Sequence, residues 1–329
     1  MRQRIEWLDV IKGFLILTVM LGHISRTPEW IEVWIYSFHM PLFFFLSGIT
    51  FSTEKYDFKS FLFRKIRTLI IPGLVFEIFI IVINIGFGKL HIDIKNFALG
   101  VILQMRGQGT DIAWFLVALF MSEIFLYLII KILKNQHKKI SLFLLFMGIL
   151  NFIYLKLAGK FLNYIVLPYS MDLIFIILPY IYAGYLYKID KLKINESVIF
   201  TVIYAVMGTL LCFISYKILG YHFDIDLDKI GSFLLYYLTA FAQINWLIIV
   251  FKKIKKLKLL PFIGRNSIIF YVWHMQAFYI YTLVMANVVV ERYLVLILEM
   301  ITSIIMLSIL SIVINKYFPY ILGRKKEIK

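Results

Sequence analysis

The sequence predicts an all-α, polytopic membrane protein, a bundle of about ten transmembrane helices with both termini cytoplasmic. Three observations carry that prediction. Hydrophobic residues make up 62% of the 329 positions, and the mean hydropathy is +0.87, more apolar surface than a soluble domain of this size needs. The apolar residues fall into repeated runs of about 20, the length that crosses a bilayer as a helix. Lysine and arginine gather on alternate connections, as the positive-inside bias requires.

The ten spans lie at about 8–26, 31–51, 66–88, 112–133, 140–158, 171–188, 197–219, 231–251, 263–285 and 293–315. The first is no cleaved signal peptide by pattern: it lacks a small-residue cleavage site and holds Asp9 and Lys12. A short turn leads to the second. The basic loop Lys55–Arg67 precedes the third, and Asp111 and Trp114 open the fourth. The fifth to eighth are bounded by charged or polar connections. The ninth is entered through IGRNSIIFYVWHM, and the tenth follows Arg292. With the N-terminus inside, the inner connections carry 25 of the 35 Lys and Arg residues, the outer ones nine, and Lys12 lies within a span. That asymmetry sets the orientation and favours an even number of spans.

Residues 1–329 read as a single transmembrane domain with no room for a soluble one. The polar outer segments are 89–111, 159–170 and 220–230, with a short interfacial helix expected over 97–105. No internal repeat is visible, which weakly disfavours a transporter. Cys212 is the sole cysteine, so no disulfide or cysteine metal centre forms within one chain, and packing is its expected role. The net charge of +16 follows from basic inner loops rather than from nucleic-acid binding. No GxSxG, P-loop, GxGxxG or HExxH occurs, which argues against serine-hydrolase chemistry and nucleotide hydrolysis.

The first span carries the chemistry. A charge inside hydrocarbon costs roughly 2.5–3.5 kcal/mol on insertion scales, so such residues face a bundle interior or a cavity and serve a purpose there. Lys12 and His23 are eleven residues apart, which on a helix is three turns with about 20° left over and about 16 Å of rise. A cation and a titratable base on one face resemble two ends of a slot for a long charged substrate. His39 in the second span approaches His23 across the short turn. Each histidine is either a general base for a hydroxyl or a helix residue bonded to a backbone carbonyl. Two histidines alone make a poor zinc site.

Other residues carry two readings each. Arg64 and Arg67, with Lys65 between them, either grip phosphate or anchor the loop at lipid headgroups. Asp111 either caps the fourth helix or orients an outer histidine. Trp114 is a membrane anchor or a substrate contact. Asn266, Ser267 and His274, near or within the ninth span, bond between helices or line a site. Glu77 and Glu123 are intramembrane acids with no assigned role.

The segments WLDVIKGFLILTVMLGH, FHMPLFFFLSG, RKIRTLIIP, WFLVALF and IGRNSIIFYVWH, in that order, resemble the acyltransferase 3 family of bacterial integral membrane O-acyltransferases. The fucose O-acetyltransferase-like branch is nearest in style. In that family a basic residue and a histidine on the first helix form a functional pair. The resemblance carries that role to Lys12 and His23, although Lys12 stands where arginine is usual and lacks its bidentate fork. With the residue readings above, the expected catalytic set is His23, Lys12, His39 and Asp111. The resemblance implies acyl-CoA, commonly acetyl-CoA, as donor substrate rather than a resident cofactor, and the basic residues Lys12, Arg64, Lys65 and Arg67 are expected on its phosphates. Trp114, Asn266, Ser267 and His274 then contact the acceptor, a sugar hydroxyl of an envelope polysaccharide or its precursor, at the bacterial plasma membrane. No metal is expected. Direct transfer and an acyl-histidine intermediate both fit. So do two rival roles: a carrier for a lipid-linked glycan or other anion, and a subunit of the same fold that has lost catalysis.

Overall fold

The computed structural model describes residues 5–86, 98–104, 113–161, 166–220, 222–224, 231–254, 257–285 and 291–324. Among them the chain is helical, with no strand: α1 (Glu6–His23), α2 (Glu29–Tyr36), α3 (His39–Thr50), α4 (Phe58–Lys65), α5 (Ile71–Gly86), α6 (Trp114–Ile132), α7 (His137–Phe161), α8 (Ile174–Lys188), α9 (Val198–Leu219), α10 (Phe233–Lys253), α11 (Leu259–Arg265), α12 (Ser267–Met285) and α13 (Arg292–Tyr317). Nine helical segments among the described residues are long and apolar enough to cross a membrane. The predicted first span, α1, has 18 residues but carries Glu6, Asp9 and Lys12.

Several predicted spans are interrupted. The second breaks at Ser37 and Phe38, so that His39 begins α3 rather than sitting inside a helix. The third is a segment of 29 residues, Phe58–Gly86, whose α4 and α5 are joined by a π turn over Ile66–Ile70. Pro72 follows that turn. It has no N–H to give the carbonyl four residues back, and widening the preceding turn accommodates the loss. The ninth divides at Asn266 into α11 and α12, and a 3-10 turn, Pro168–Leu173, precedes α8. A π turn over Ala98–Ile102 lies within the expected interfacial helix. α9 has both ends defined: the Ser197 hydroxyl accepts from Phe200 N at 3.4 Å, and Gly220 closes it in the left-handed region at φ 75°.

The packing divides into two compact units. The first holds α1, α2, the start of α3 and α9–α13. Here α1 and α11 touch through backbone: a side chain on Gly13 would strike the Leu260 carbonyl, and one on Gly264 the Asp9 carbonyl. Small residues at such a crossing replace the hydrophobic drive that lipid removes. Ile16, Val19, Met20, Ile24, Ile263, Phe270, Phe278 and Leu307 form the core that joins α1, α11, α12 and α13. One stripe of α13 is buried, Glu299, Ser303, Leu307 and Ser311, the four-residue spacing of a single helix face. Asn315 donates to the Asn266 Oδ1 at 2.8 Å, and Asn266 donates to the Phe262 carbonyl at 2.9 Å, which settles the break between α11 and α12.

The second unit holds the rest of α3, α4–α8 and the turn Pro319–Leu322. Its core contains the two acids left without a role by sequence. Glu123 on α6 is 1% exposed and pairs with Lys65 at 2.5 Å. Glu77 on α5, equally buried, accepts from the Gln104 side chain at 2.8 Å. Buried acids in hydrocarbon require such partners.

Candidate active site: histidines at the end of α1

His23 is the last residue of α1, and Ile24 turns the chain out of the helix with an extended backbone. Its Nδ1 lies 2.7 Å from the Val19 carbonyl. A carbonyl oxygen only accepts, so Nδ1 carries the hydrogen and the Nε2 lone pair is left for a proton. The side chain is exposed. The two readings of this histidine thus coincide: the carbonyl bond is what aims the base.

His39 and His274 follow the same rule, donating from Nδ1 to the Ile35 carbonyl at 2.9 Å and to the Tyr271 carbonyl at 2.6 Å. Both are buried, at 4% and 5% exposure. His274 meets His23 edge-on with ring centroids 5.0 Å apart. Among the described residues, the buried His274 Nε2 has no hydrogen-bond partner, a condition that costs about 1–3 kcal/mol. The Tyr36 ring stands between His39, at 4.8 Å, and His222, at 4.4 Å. His222 has Asp224 4.0 Å away. Arg26, just past α1, reaches Glu299 on α13 at 3.5 Å. Four of the six histidines of the chain therefore gather in the first unit. No group of three or more His, Cys, Asp or Glu suited to a metal occurs among the described residues.

The other predicted residues are placed as follows. Lys12 is half-buried on α1, on the same continuous helix as His23. Asn266 is engaged with Asn315, and Ser267 begins α12. Trp114 begins α6 with its ring 6.2 Å from that of Phe115. Asp111 lies outside the described residues. Arg64 and Arg67 are exposed, and Arg64 donates to the Tyr56 hydroxyl with its guanidinium 4.9 Å over that ring. Lys65 is committed to Glu123, whereas Lys55, Lys59 and the two arginines of that loop are exposed. Sequence reasoning passed over His222. Its signal was its place in the polar outer segment 220–230, on the side to which the charge count assigns His23. It also treated His274 as a mid-span residue without linking it to His23, because no spacing rule connects α1 with α12.

Residues 5–316 match a family model described as an acyltransferase domain. No curated protein and no solved structure matches the chain.

Proposed function

The chain belongs to the acyltransferase domain family, and from that premise we propose that it is an O-acyltransferase of the bacterial cytoplasmic membrane. It moves an acyl group, commonly acetyl, from cytoplasmic acyl-CoA to a sugar hydroxyl of an envelope polysaccharide or its precursor. The observation that carries this reading is His23: exposed, at the end of α1, with its Nδ1 pinned to the Val19 carbonyl and its Nε2 lone pair free to take a proton. In the reaction, His23 Nε2 removes the hydroxyl proton as the oxygen bonds to the acyl carbonyl carbon. The C–S bond breaks, and the proton passes from His23 to the thiolate of CoA. The direct test supplies radiolabelled acetyl-CoA to membranes of the producing cells. Alkali-labile label in the glycan fraction supports the reading. Uptake or release of a glycan with no label incorporated would favour a carrier.

Arg64 and Arg67 take the CoA phosphates in this reading, since guanidinium groups grip phosphate bidentately. Arg64→Ala with Arg67→Ala is expected to weaken CoA binding by at least about tenfold, which calorimetric titration of the purified protein measures. Equal affinities would assign both arginines to lipid anchoring.

Lys12 faces the substrate in this reading, with Asp9 three residues away on the same helix side. Lys12→Arg is expected to retain transfer, whereas Lys12→Met and the double change Asp9→Asn with Lys12→Met lose it. Transfer rates for the three variants at matched expression decide the matter. An active double variant would reduce Lys12 to half of an ion pair.

A further inference from the structure

Two imidazoles meet at the end of α1, and at rest neither satisfies the other. The bonds to the Val19 and Tyr271 carbonyls put the hydrogens of His23 and His274 on Nδ1. Each neutral ring then presents a bare lone pair at Nε2, and two lone pairs do not hydrogen-bond. Among the described residues His274 Nε2 is buried without a partner, and the His23 ring lies edge-on to it, centroids 5.0 Å apart. The Phe278 ring also meets it edge-on, at 5.7 Å. An aromatic hydrocarbon would fill this place without an unmet polar atom, so packing alone does not account for a histidine here.

We infer that His274 is a positioning residue for His23, its buried lone pair matched only while His23 is positively charged. The inference rests on the acyl-transfer reading with His23 as base. As the acceptor hydroxyl gives its proton to His23 Nε2 and its oxygen bonds to the acyl carbon, His23 becomes an imidazolium. The unshared pair of His274 then faces a cation instead of a second lone pair. When the C–S bond breaks, the proton leaves His23 for the thiolate and the pair returns to its resting mismatch. An interaction absent from the ground state and present in the charged state lowers the barrier without tightening substrate binding. The Tyr271 carbonyl holds the ring in the tautomer that this requires.

Two variants separate this role from packing. His274→Phe keeps an aromatic ring and removes the acceptor; His274→Gln keeps an acceptor oxygen and removes the ring. Both are assayed in membranes of the producing cells with radiolabelled acetyl-CoA as probe, and their melting temperatures are measured after purification. His274→Phe is expected to lose on the order of 10² in kcat, with KM for acetyl-CoA changed by no more than about twofold and a melting temperature no lower than that of the unaltered protein. His274→Gln is expected to stay about tenfold more active than His274→Phe. The opposite order, with Phe at or above Gln, would assign His274 to packing and overturn the inference. So would equal loss in both variants, or no loss in His274→Phe. If the unaltered protein transfers no label to glycan, the acyl-transfer reading itself falls, and this inference with it.

Discussion

His23→Ala should abolish acyl transfer while leaving the protein inserted and folded. The side chain is exposed at the end of α1, and its one hydrogen bond among the described residues is to the Val19 carbonyl within its own helix. Its removal therefore opens no cavity in the core of the first unit. The chemical loss is of another size. A positioned general base contributes typically about 10²–10⁴-fold, and no other histidine in the cluster is poised to replace it: His39 and His274 are buried, with Nδ1 committed to the Ile35 and Tyr271 carbonyls. Ester content of the envelope glycan, compared at equal protein level and equal melting temperature, measures the result. Near-normal ester in the His23→Ala strain would remove His23 from the mechanism.

The fold was legible in the sequence because lipid makes hydrophobicity a direct record of burial in the bilayer. Spans such as 197–219 and 293–315 fall within two residues of α9 and α13 at each end, and the apolar runs alone define them. The interruptions were not legible. The break at Ser37 and Phe38, the π turn before Pro72 and the division at Asn266 all lie inside runs whose hydropathy reads as a single span. Hydropathy does not register a change of backbone path within such a run. Pro72 was a visible cue to the π turn. The division at Asn266 depends on Asn315, 49 residues further along the chain, which no local rule identifies.

The candidate site divides in the same way. The pairing of Lys12 with His23 follows from helical spacing on one uninterrupted helix. The company His23 keeps comes from α12, and His39 and His222 meet across the Tyr36 ring from α3 and a segment far along the chain. The basic loop shows a third case. Arg64, Lys65 and Arg67 look equivalent as sequence, and only the position of Glu123 on α6 singles out Lys65. A helix face is predictable from one segment, whereas the partner of a buried charge is a property of two.

The largest structural effect is expected from the contact that seats α1. Gly13→Ala would press a methyl group onto the Leu260 carbonyl, and Gly264→Ala would do the same to the Asp9 carbonyl. Overpacking in a protein core costs typically about 1–3 kcal/mol when side chains can yield. Here the obstacle on both sides is helix backbone, so α1 and α11 must separate or shift along each other. Gly13 adjoins Lys12, and His23 lies ten residues further along the same helix. Any shift of α1 therefore moves both ends of the proposed slot, and a misplacement of about 1 Å is enough to cost about 10²-fold in rate. Gly13→Ala is accordingly expected to lower both melting temperature and transfer, and Gly264→Ala to act in the same direction. Gly86→Ala is the comparison: a methyl group there meets nothing within 4 Å among the described residues. Melting curves and transfer rates for the three proteins check this. Unchanged stability and rate in Gly13→Ala would mean that the backbone contact between α1 and α11 does not hold His23 in place.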